Sequence, residues 1–597
     1  MEIKRVFDIL DKLEKYVPKN DILNAKDLAA GKAGKPWINY SVADLINNSN
    51  YVSAALLQLG LQSGDIVAIM AGNMPQWNFV DFGCQQAAMP NAPIFPTISN
   101  DDLKYILNHC EAKIIFISDR STYLKLAGME KELPHLKYVF SFEPVEGVKP
   151  FSEFLDLGKQ HLDLEKVAKI KNTVTGNDLL TLLYTSGTTG TPKGVMISHR
   201  NLISNIMACE HIAPFTTKWR ALSFLPLNHV YERFLTTLYL YHGVSIYYAE
   251  NFETIGDNCR EVHPQIFVAV PRVLERVLEK ISSAGEKFSG FKRKIFDWSM
   301  ALAERYELDG ANGPWYEFQR KIADVLVYRK WRAAVGGKVE VIVSGGAALN
   351  PRLERIFYCA GLTLLQGYGL TETCVVVAVN RLEKGNRMFG TVGIVVENSE
   401  VKIAGEDGEI LMKGPSLMMG YYKNPQATAE AIDSEGWFHT GDIGKIIDGK
   451  FLKITDRKKE IFKSSAGKYI SPVAIENKLK ESKYIEQCMV IGEGQKFASA
   501  LIVPSMASFK EYCQQQHIEW QGNAAMFEHE ALKKIIADHV KKTNATLAAF
   551  EQIKRYQLVN ATWGVETGEI TPKLSLKRKV IQEKNKALIT KIFGAED

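Results

Sequence analysis

The residues best able to do chemistry stand together in Tyr184-Thr185-Ser186-Gly187-Thr188-Thr189-Gly190-Thr191-Pro192-Lys193-Gly194. After Tyr184 this stretch carries three glycines, five Ser/Thr hydroxyls and one lysine. Glycines let the backbone approach an anion closely, hydroxyls and amides donate to phosphate oxygens, and Lys193 adds a point charge. Such a loop grips a polyphosphate. It is not the common P-loop, which needs Gly-x-x-x-x-Gly-Lys followed by Ser or Thr, with a helix behind it. Here Gly187 and Gly190 are three apart, Lys193 lies three further on, and Gly194 follows the lysine. A Gly/Thr-rich surface turn is the bland alternative, and the length of the pattern weighs against it.

Four further stretches carry usable chemistry. Ser344-Gly345-Gly346-Ala347-Ala348 follows a strand-like alternation of Val339, Val341 and Val343, and its small residues leave room for a flat ring. Leu364-Leu365-Gln366-Gly367-Tyr368-Gly369-Leu370-Thr371-Glu372-Thr373 combines a strand end, tight glycines, an aromatic for stacking and a carboxylate. Trp437-Phe438-His439-Thr440-Gly441-Asp442 sets an aspartate on a Gly turn, where it accepts ribose hydroxyls or merely closes the turn. Asp456-Arg457-Lys458-Lys459-Glu460 reads as a solvated charged turn or, from its position, as a domain boundary.

Taken in order, these motifs resemble the adenylate-forming (AMP-binding) enzymes, a superfamily that includes acyl-CoA synthetases, luciferases and peptide-synthetase adenylation domains. The resemblance runs from about residue 38 to 582. It implies ATP, Mg²⁺ and CoA as cofactor or substrates. Thr185, Ser186, Gly187, Thr188, Thr189, Gly190 and Lys193 are then the phosphate loop. Gly346, Ala347, Gln366, Gly367 and Tyr368 flank adenine, Thr371 reaches the α-phosphate, and Glu372 with Ser186 holds Mg²⁺. Asp442 and Arg457 take the ribose, and Lys459 is the pivot of a hinge at 456–460. His229 and Tyr231, in Ser223-Phe224-Leu225-Pro226-Leu227-Asn228-His229-Val230-Tyr231, correspond to the acyl pocket; a hydrogen-bonded core histidine is the alternative for His229. Ser464, Gly467 and Lys468 resemble the loop that shapes the CoA channel. The family's C-terminal catalytic lysine falls, by register, at Ser575. Lys573 and Lys577 lie two residues to either side, and Pro572, which stiffens the backbone before Lys573, favours that residue.

Elements must position these groups. Val42, Leu45, Val52, Leu56 and Leu59 share a helical face over 41–60, Ile66–Met70 is an apolar strand, and Asn73 to Trp77 reads as a loop. Helical spacing resumes over 79–88, Ser99 caps a helix running to His109, and Ile114–Ile117 is another strand. Strands alternating with helices predict a parallel, helix-covered sheet. The glycine loop joins two strands. The expected fold class is α/β: a large N-terminal domain over 1–455, with a β-barrel-like subdomain at about 390–455, then a small α+β C-terminal domain over 456–597. The resemblance makes that second domain mobile.

With 597 residues, several domains are expected. A net charge of +5 gives no sign of a nucleic-acid partner. Eight scattered cysteines, none in a C-x-x-C, suggest neither zinc nor disulfides and fit a cytoplasmic protein. No long apolar run suggests a span, so membrane contact would be peripheral. A helical, aromatic and basic insertion occupies about 273–343, where family members acting on small acids are shorter. Its aromatics, with Lys292, Arg293 and Lys294, are read either as decoration packed on the core, the favoured choice because no strict amphipathic stripe stands out, or as resting on a bilayer. The expected activity is that of a long-chain fatty-acid–CoA ligase. The alternatives are a ligase for medium-chain or aryl acids and a non-catalytic acyl- or nucleotide-binding member. Chain-length preference and oligomeric state stay open.

Overall fold

The strands Val67–Met70 and Ile114–Ile117 are apolar at every position and buried throughout. That texture belongs to parallel sheets covered on both faces. The computed structural model describes residues 2–27, 36–185, 191–405, 407–458, 460–465, 468–564, 567–570 and 576–594. Among these the chain divides into two units, one of residues 1–402, 411–439 and 447–452, the other of 403–410, 440–446 and 453–597.

Two large sheets build the first unit. One has eight strands, in the order Gly420–Tyr421, Lys193–Ser198, Leu179–Thr185, Asn91–Pro93, Val67–Met70, Ile114–Ile117, Tyr138–Ser141, Lys149–Pro150. From Leu179–Thr185 onward its neighbours are parallel, whereas Lys193–Ser198 is antiparallel to both of its neighbours. The other has nine strands. Six of them, Leu364–Tyr368, Val341–Ser344, Ile266–Ala269, Arg220–Ser223, Ser245–Tyr248 and Leu23–Lys26, run parallel side by side. The glycine-rich and Ser344–Ala348 motifs thus sit at strand ends, where open α/β sheets bind ligands.

Local signals explain the helices. Ser41 and Asp44 form a capping box for Val42–Gln58, and Ser99 caps Asn100–His109. The loop expected over 73–77 is cut short: a helix starts at Pro75, because proline at the first helical position has its φ preset and no N–H to satisfy. The insertion is helical, with Pro271–Glu286, Gly290–Glu304, Pro314–Ala323, a π turn at Asp324–Tyr328, and Arg329–Ala334. Its aromatics divide. Phe296, Tyr316, Tyr328 and Trp331 are buried, while Phe288, Phe291, Trp315 and Phe318 are exposed. Decoration of the core accounts for the first group only.

The β-rich stretch gives a four-stranded sheet, in the order Glu400–Ala404, Glu409–Lys413, Phe438–Ile447, Phe451–Arg457. Further on, Ile485–Ile491, Ala498–Pro504 and Ile553–Leu558 form a three-stranded sheet. Its two faces carry separate apolar cores, one around Phe509 and Ile536, the other around Trp563 and Ile581. All eight cysteines are buried and free.

Candidate active site

Strands Leu179–Thr185 and Lys193–Ser198 pair with Thr185 opposite Lys193, so the phosphate-loop motif closes a hairpin. Residues Ser186, Gly187, Thr188, Thr189 and Gly190 lie outside the described residues. Gly194 has a packing role: a Cβ there would stand 3.2 Å from the Tyr184 ring. That ring is held by a hydrogen bond between its hydroxyl and His109 Nδ1, 2.8 Å. Burial, then the nearby Lys423 charge, lowers the His109 pKa from its ordinary value.

The short strand Gly420–Tyr421 lies against Lys193–Ser198, with Tyr421 opposite Val195. Lys193 Nζ sits 5.0 Å from the centre of the Tyr421 ring, and the Tyr421 hydroxyl donates to Glu372 Oε1 at 3.0 Å. Burial, then the Glu372 charge, pushes the Tyr421 pKa far up, so the phenol remains a donor. Met418 N–H donates to the Glu372 carbonyl. Lys193 and Glu372, both expected, are therefore joined through Tyr421, which sequence reasoning missed. Its adjacency to Gly420 in a two-residue strand gave no motif to find.

Glu372 rides on a tight turn. A Cβ at Gly369 would lie 1.2 Å from the Val375 carbonyl oxygen, so only glycine fits. Cys374 and Val375 have φ of +49° and +99°; positive φ at a β-branched residue is rare and strained. Two hydrogen bonds between the Asn205 side chain and the Val376 backbone clamp the turn's exit. Thr371 is buried beside Glu372. Among the described residues no group of three His, Cys, Asp or Glu side chains could hold a metal. A Mg²⁺ held by Glu372 would complete its shell from phosphate oxygens and water, which suits that ion.

The expected acyl-pocket segment is pinned from far along the chain. The Asn73 amide donates to Ser223 Oγ and the Leu225 carbonyl and accepts from Leu227 N–H. Trp77 Nε1 donates to Asn228, whose own amide reaches the Ala71 carbonyl. His229 caps the helix Val230–His242, accepting from Tyr231 N–H through Nδ1. Tyr231 lies on the Gly345 backbone: a Cβ at Gly345 would be 3.0 Å from its hydroxyl. The space beside Gly345 is thus taken by the protein's own ring. Gly346, at φ +80°, is exposed, with Val270 Cγ1 3.9 Å from where its Cβ would stand, and Ala347 is exposed beside it. Tyr231 Oη and Ser344 Oγ are buried and have no hydrogen-bond partner among the described residues. Gln366 is buried, while Gly367 and Tyr368 are half-buried.

In the second unit, Asp442 is buried and Arg457 Nε lies 3.1 Å from its Oδ1. Gly441 N–H donates to Glu409, which also pairs with Lys458. Lys459 and Gly467 lie outside the described residues. Ser464 is buried, its Oγ accepting from the N–H of exposed Lys468. Ile570 and Leu576 pair antiparallel around residues 571–575, which are outside the described residues, as are Lys573 and Ser575. Lys577 is exposed, and Arg578 is occupied by Glu476 and Glu460.

A model of the AMP-binding enzyme family matches residues 24–422, and one of the AMP-binding enzyme C-terminal domain matches 460–597. The chain is 32% identical to a long-chain-fatty-acid–CoA ligase of Mycobacterium bovis, over 94% of this chain and 93% of the relative. It is 30% identical to the human long-chain-fatty-acid–CoA ligase 1, over 96% of this chain and 84% of that one. An anthranilate CoA ligase in complex with anthranoyl-AMP shares the fold, with a TM-score of 0.73 at 18% identity over 99% of both chains. A Mycobacterium tuberculosis fatty acyl CoA synthetase aligns with a TM-score of 0.62 at 19% identity over 98% of this chain and 99% of that one. This chain belongs to the AMP-binding enzyme family.

Proposed function

We propose that the protein activates long-chain fatty acids to acyl-CoA with ATP, through an acyl-AMP intermediate. In the first step a carboxylate oxygen attacks the α-phosphorus and pyrophosphate leaves. In the second the CoA sulfur attacks the acyl carbon and AMP leaves. Both reactants of the first step are anions, so the barrier is largely charge repulsion, and fixed positive groups and donors lower it. Lys193 supplies one such charge. Glu372, which the Tyr421 hydroxyl holds in place, would hold Mg²⁺, and that ion would supply a second positive charge. Thr371 and the loop 185–190 donate to phosphate oxygens, with Ser186 as a second metal-side oxygen. Gly346, Ala347, Gln366, Gly367 and Tyr368 receive adenine, and Asp442 with Arg457 receives the ribose. His229 and Tyr231 face the acyl group, and Ser464, Gly467 and Lys468 belong to the CoA path. Lys573, ahead of Lys577, neutralises the α-phosphate, and Lys459 is the pivot between the two half-reactions.

The observation that carries this reading is the bridging of Lys193 and Glu372 by Tyr421, which places a cation and a carboxylate together beside the phosphate-loop hairpin. Support for the acyl class comes from long-chain ligases spanning nearly the whole chain. Pyrophosphate release is the test, measured with ATP and a panel of acids from acetate to oleate. Release with oleate and not with acetate or benzoate is expected. Preference for benzoate or octanoate would move the assignment to an aryl or medium-chain ligase, and no release with any acid would mean a binding protein. No described helix is long and apolar enough to cross a membrane. Peripheral contact with a bilayer is part of the proposed reading.

A further inference from the structure

Within the insertion, the continuous helical stretch from Pro314 through the π turn to Ala334 fills the core with one face. Tyr316, Ala323, Val327, Tyr328 and Trp331 are buried. The Tyr316 and Tyr328 hydroxyls donate to the carbonyls of Leu302 and Ser299, both at 2.6 Å, and Trp331 packs on Tyr328 and Phe296. Its opposite face is also apolar but lies in solvent: Trp315 is 71% exposed, Phe318 54%, Ile322 40%, Val325 68% and Leu326 42%. On a regular helix these five positions fall within an arc of about 100°. Trp315 and Phe318 stack on each other, with centroids 5.5 Å apart. Five large apolar side chains side by side are more than scattered surface residues account for, and a ridge of this kind marks an interaction site.

Charge decides what it meets. The stretch has two acids, and both are paired: Glu317 with Arg320, and Asp324 with Arg332. Lys321, Arg329 and Lys330 are exposed on or beside the ridge. A second copy docked face to face would bring these like charges together across a two-fold axis, which opposes self-association. An anionic surface neutralises them while the apolar row leaves water. We propose that this ridge docks on an anionic lipid bilayer. The helix lies in the interface plane, with Trp315, Phe318, Ile322, Val325 and Leu326 in the headgroup–acyl boundary and the three cations among the headgroups. The proposal gives the peripheral contact of the functional reading its surface and lipid class, and rests on none of the catalytic assignments.

The test is flotation of the full chain with vesicles of phosphatidylcholine alone and of phosphatidylcholine with phosphatidylglycerol. Binding to the anionic vesicles, weakened by salt, is expected. Trp315→Ser with Phe318→Ser should lower it by at least about tenfold, from the apolar area lost. Lys321→Gln with Arg329→Gln and Lys330→Gln should lower it by about fivefold per residue removed. All these side chains are exposed, so an unchanged circular dichroism spectrum and thermal midpoint serve as the folding control; should the aromatic variant fail it, the charge variant decides. Equal binding to both vesicles, binding to neither, or undiminished binding by the charge variant overturns the proposal. So does a wild-type dimer in sedimentation that the aromatic variant converts to monomer, since a second copy then covers the ridge. Loss of catalysis with lipid binding intact would bear on the catalytic reading and leave this one supported.

Discussion

Glu372 and Asp442 are both carboxylates proposed to serve the nucleotide, and the chain holds them in contrasting ways. Glu372 depends on partners far along the sequence: Tyr421 donates to it, Met418 fixes its backbone, and Asn205 clamps the turn it sits on. That turn stores strain at Cys374 and Val375. Conformations of this kind cost roughly 1–3 kcal/mol each and persist only where the surroundings over-determine them. Asp442 has a nearer frame. Thr440 and Gly441 precede it, and Arg457 comes from Phe451–Arg457, the strand directly after its own. A local hairpin suffices to accept hydroxyls. Holding a half-buried carboxylate beside a cation without letting the two collapse into a pair takes a third group, and here that is a phenol.

The contrast predicts graded losses. Glu372→Gln has the largest effect: adenylation falls by roughly 10²–10³, the usual cost of removing one electrostatic stabiliser from a transition state. Single-turnover formation of acyl-AMP measures it, and near-parent rates would end the metal-side assignment of Glu372. Asp442→Ala comes next. Loss of a charge-assisted acceptor worth about 1.5–3 kcal/mol raises the ATP requirement by about ten- to a hundredfold and leaves the fatty-acid requirement nearly unchanged. Equal weakening for both substrates would make Asp442 structural.

Tyr421→Phe keeps the ring over Lys193 and removes only the donor to Glu372. A drop of about tenfold in adenylation is expected, with the fold intact, since a hydrogen bond to a charged group is lost from a site still correctly shaped. Parent activity would mean the phenol is a bystander and that the Glu372 turn is held by its strained backbone alone.

A third carboxylate, Glu232, bears on stability rather than on catalysis; it is buried and hydrogen-bonded to Ser223. Burial raises its pKa from 4.5 to about 8. Between these values the folded protein holds a proton that the unfolded chain releases. The contribution to stability is therefore full below about pH 4.5 and is lost as pH rises toward about 8, with a slope of at most about 1.4 kcal/mol per pH unit. Urea unfolding across that range should show the slope in the parent and a flatter profile in Glu232→Gln. Identical profiles would mean that Glu232 titrates normally.

Much of this was legible in the sequence. The apolar runs at 66–70 and 114–117, the Ser99 cap and the strand–loop–strand around the glycine motif follow from period and turn chemistry, which act over a few residues. The helix start at Pro75 was missed because Asn73 to Trp77 reads as polar loop, although Asn73 and Trp77 are there to hold the turn before His229. The two fates of the insertion's aromatics were also hidden. Period alone marks Tyr316 and Trp315 as aromatic neighbours on a helix and does not say which of them meets the core.

By itself the sequence determined the α/β class, the order of the motifs and the chemistry each residue type offers, because hydroxyls, glycines, carboxylates and ammonium groups carry their properties wherever they are placed. Only the tertiary structure decided that Tyr421 stands between Lys193 and Glu372, that Tyr231 occupies the face of Gly345, and that Gly194 exists to let the Tyr184 ring approach. Each of these depends on distances between residues that are neighbours in space and not in sequence, from the hairpin pair Tyr184 and Gly194 to Lys193 and Tyr421, set by sheet pairing and close packing. Such distances are properties of the folded chain as a whole, and no local pattern encodes them.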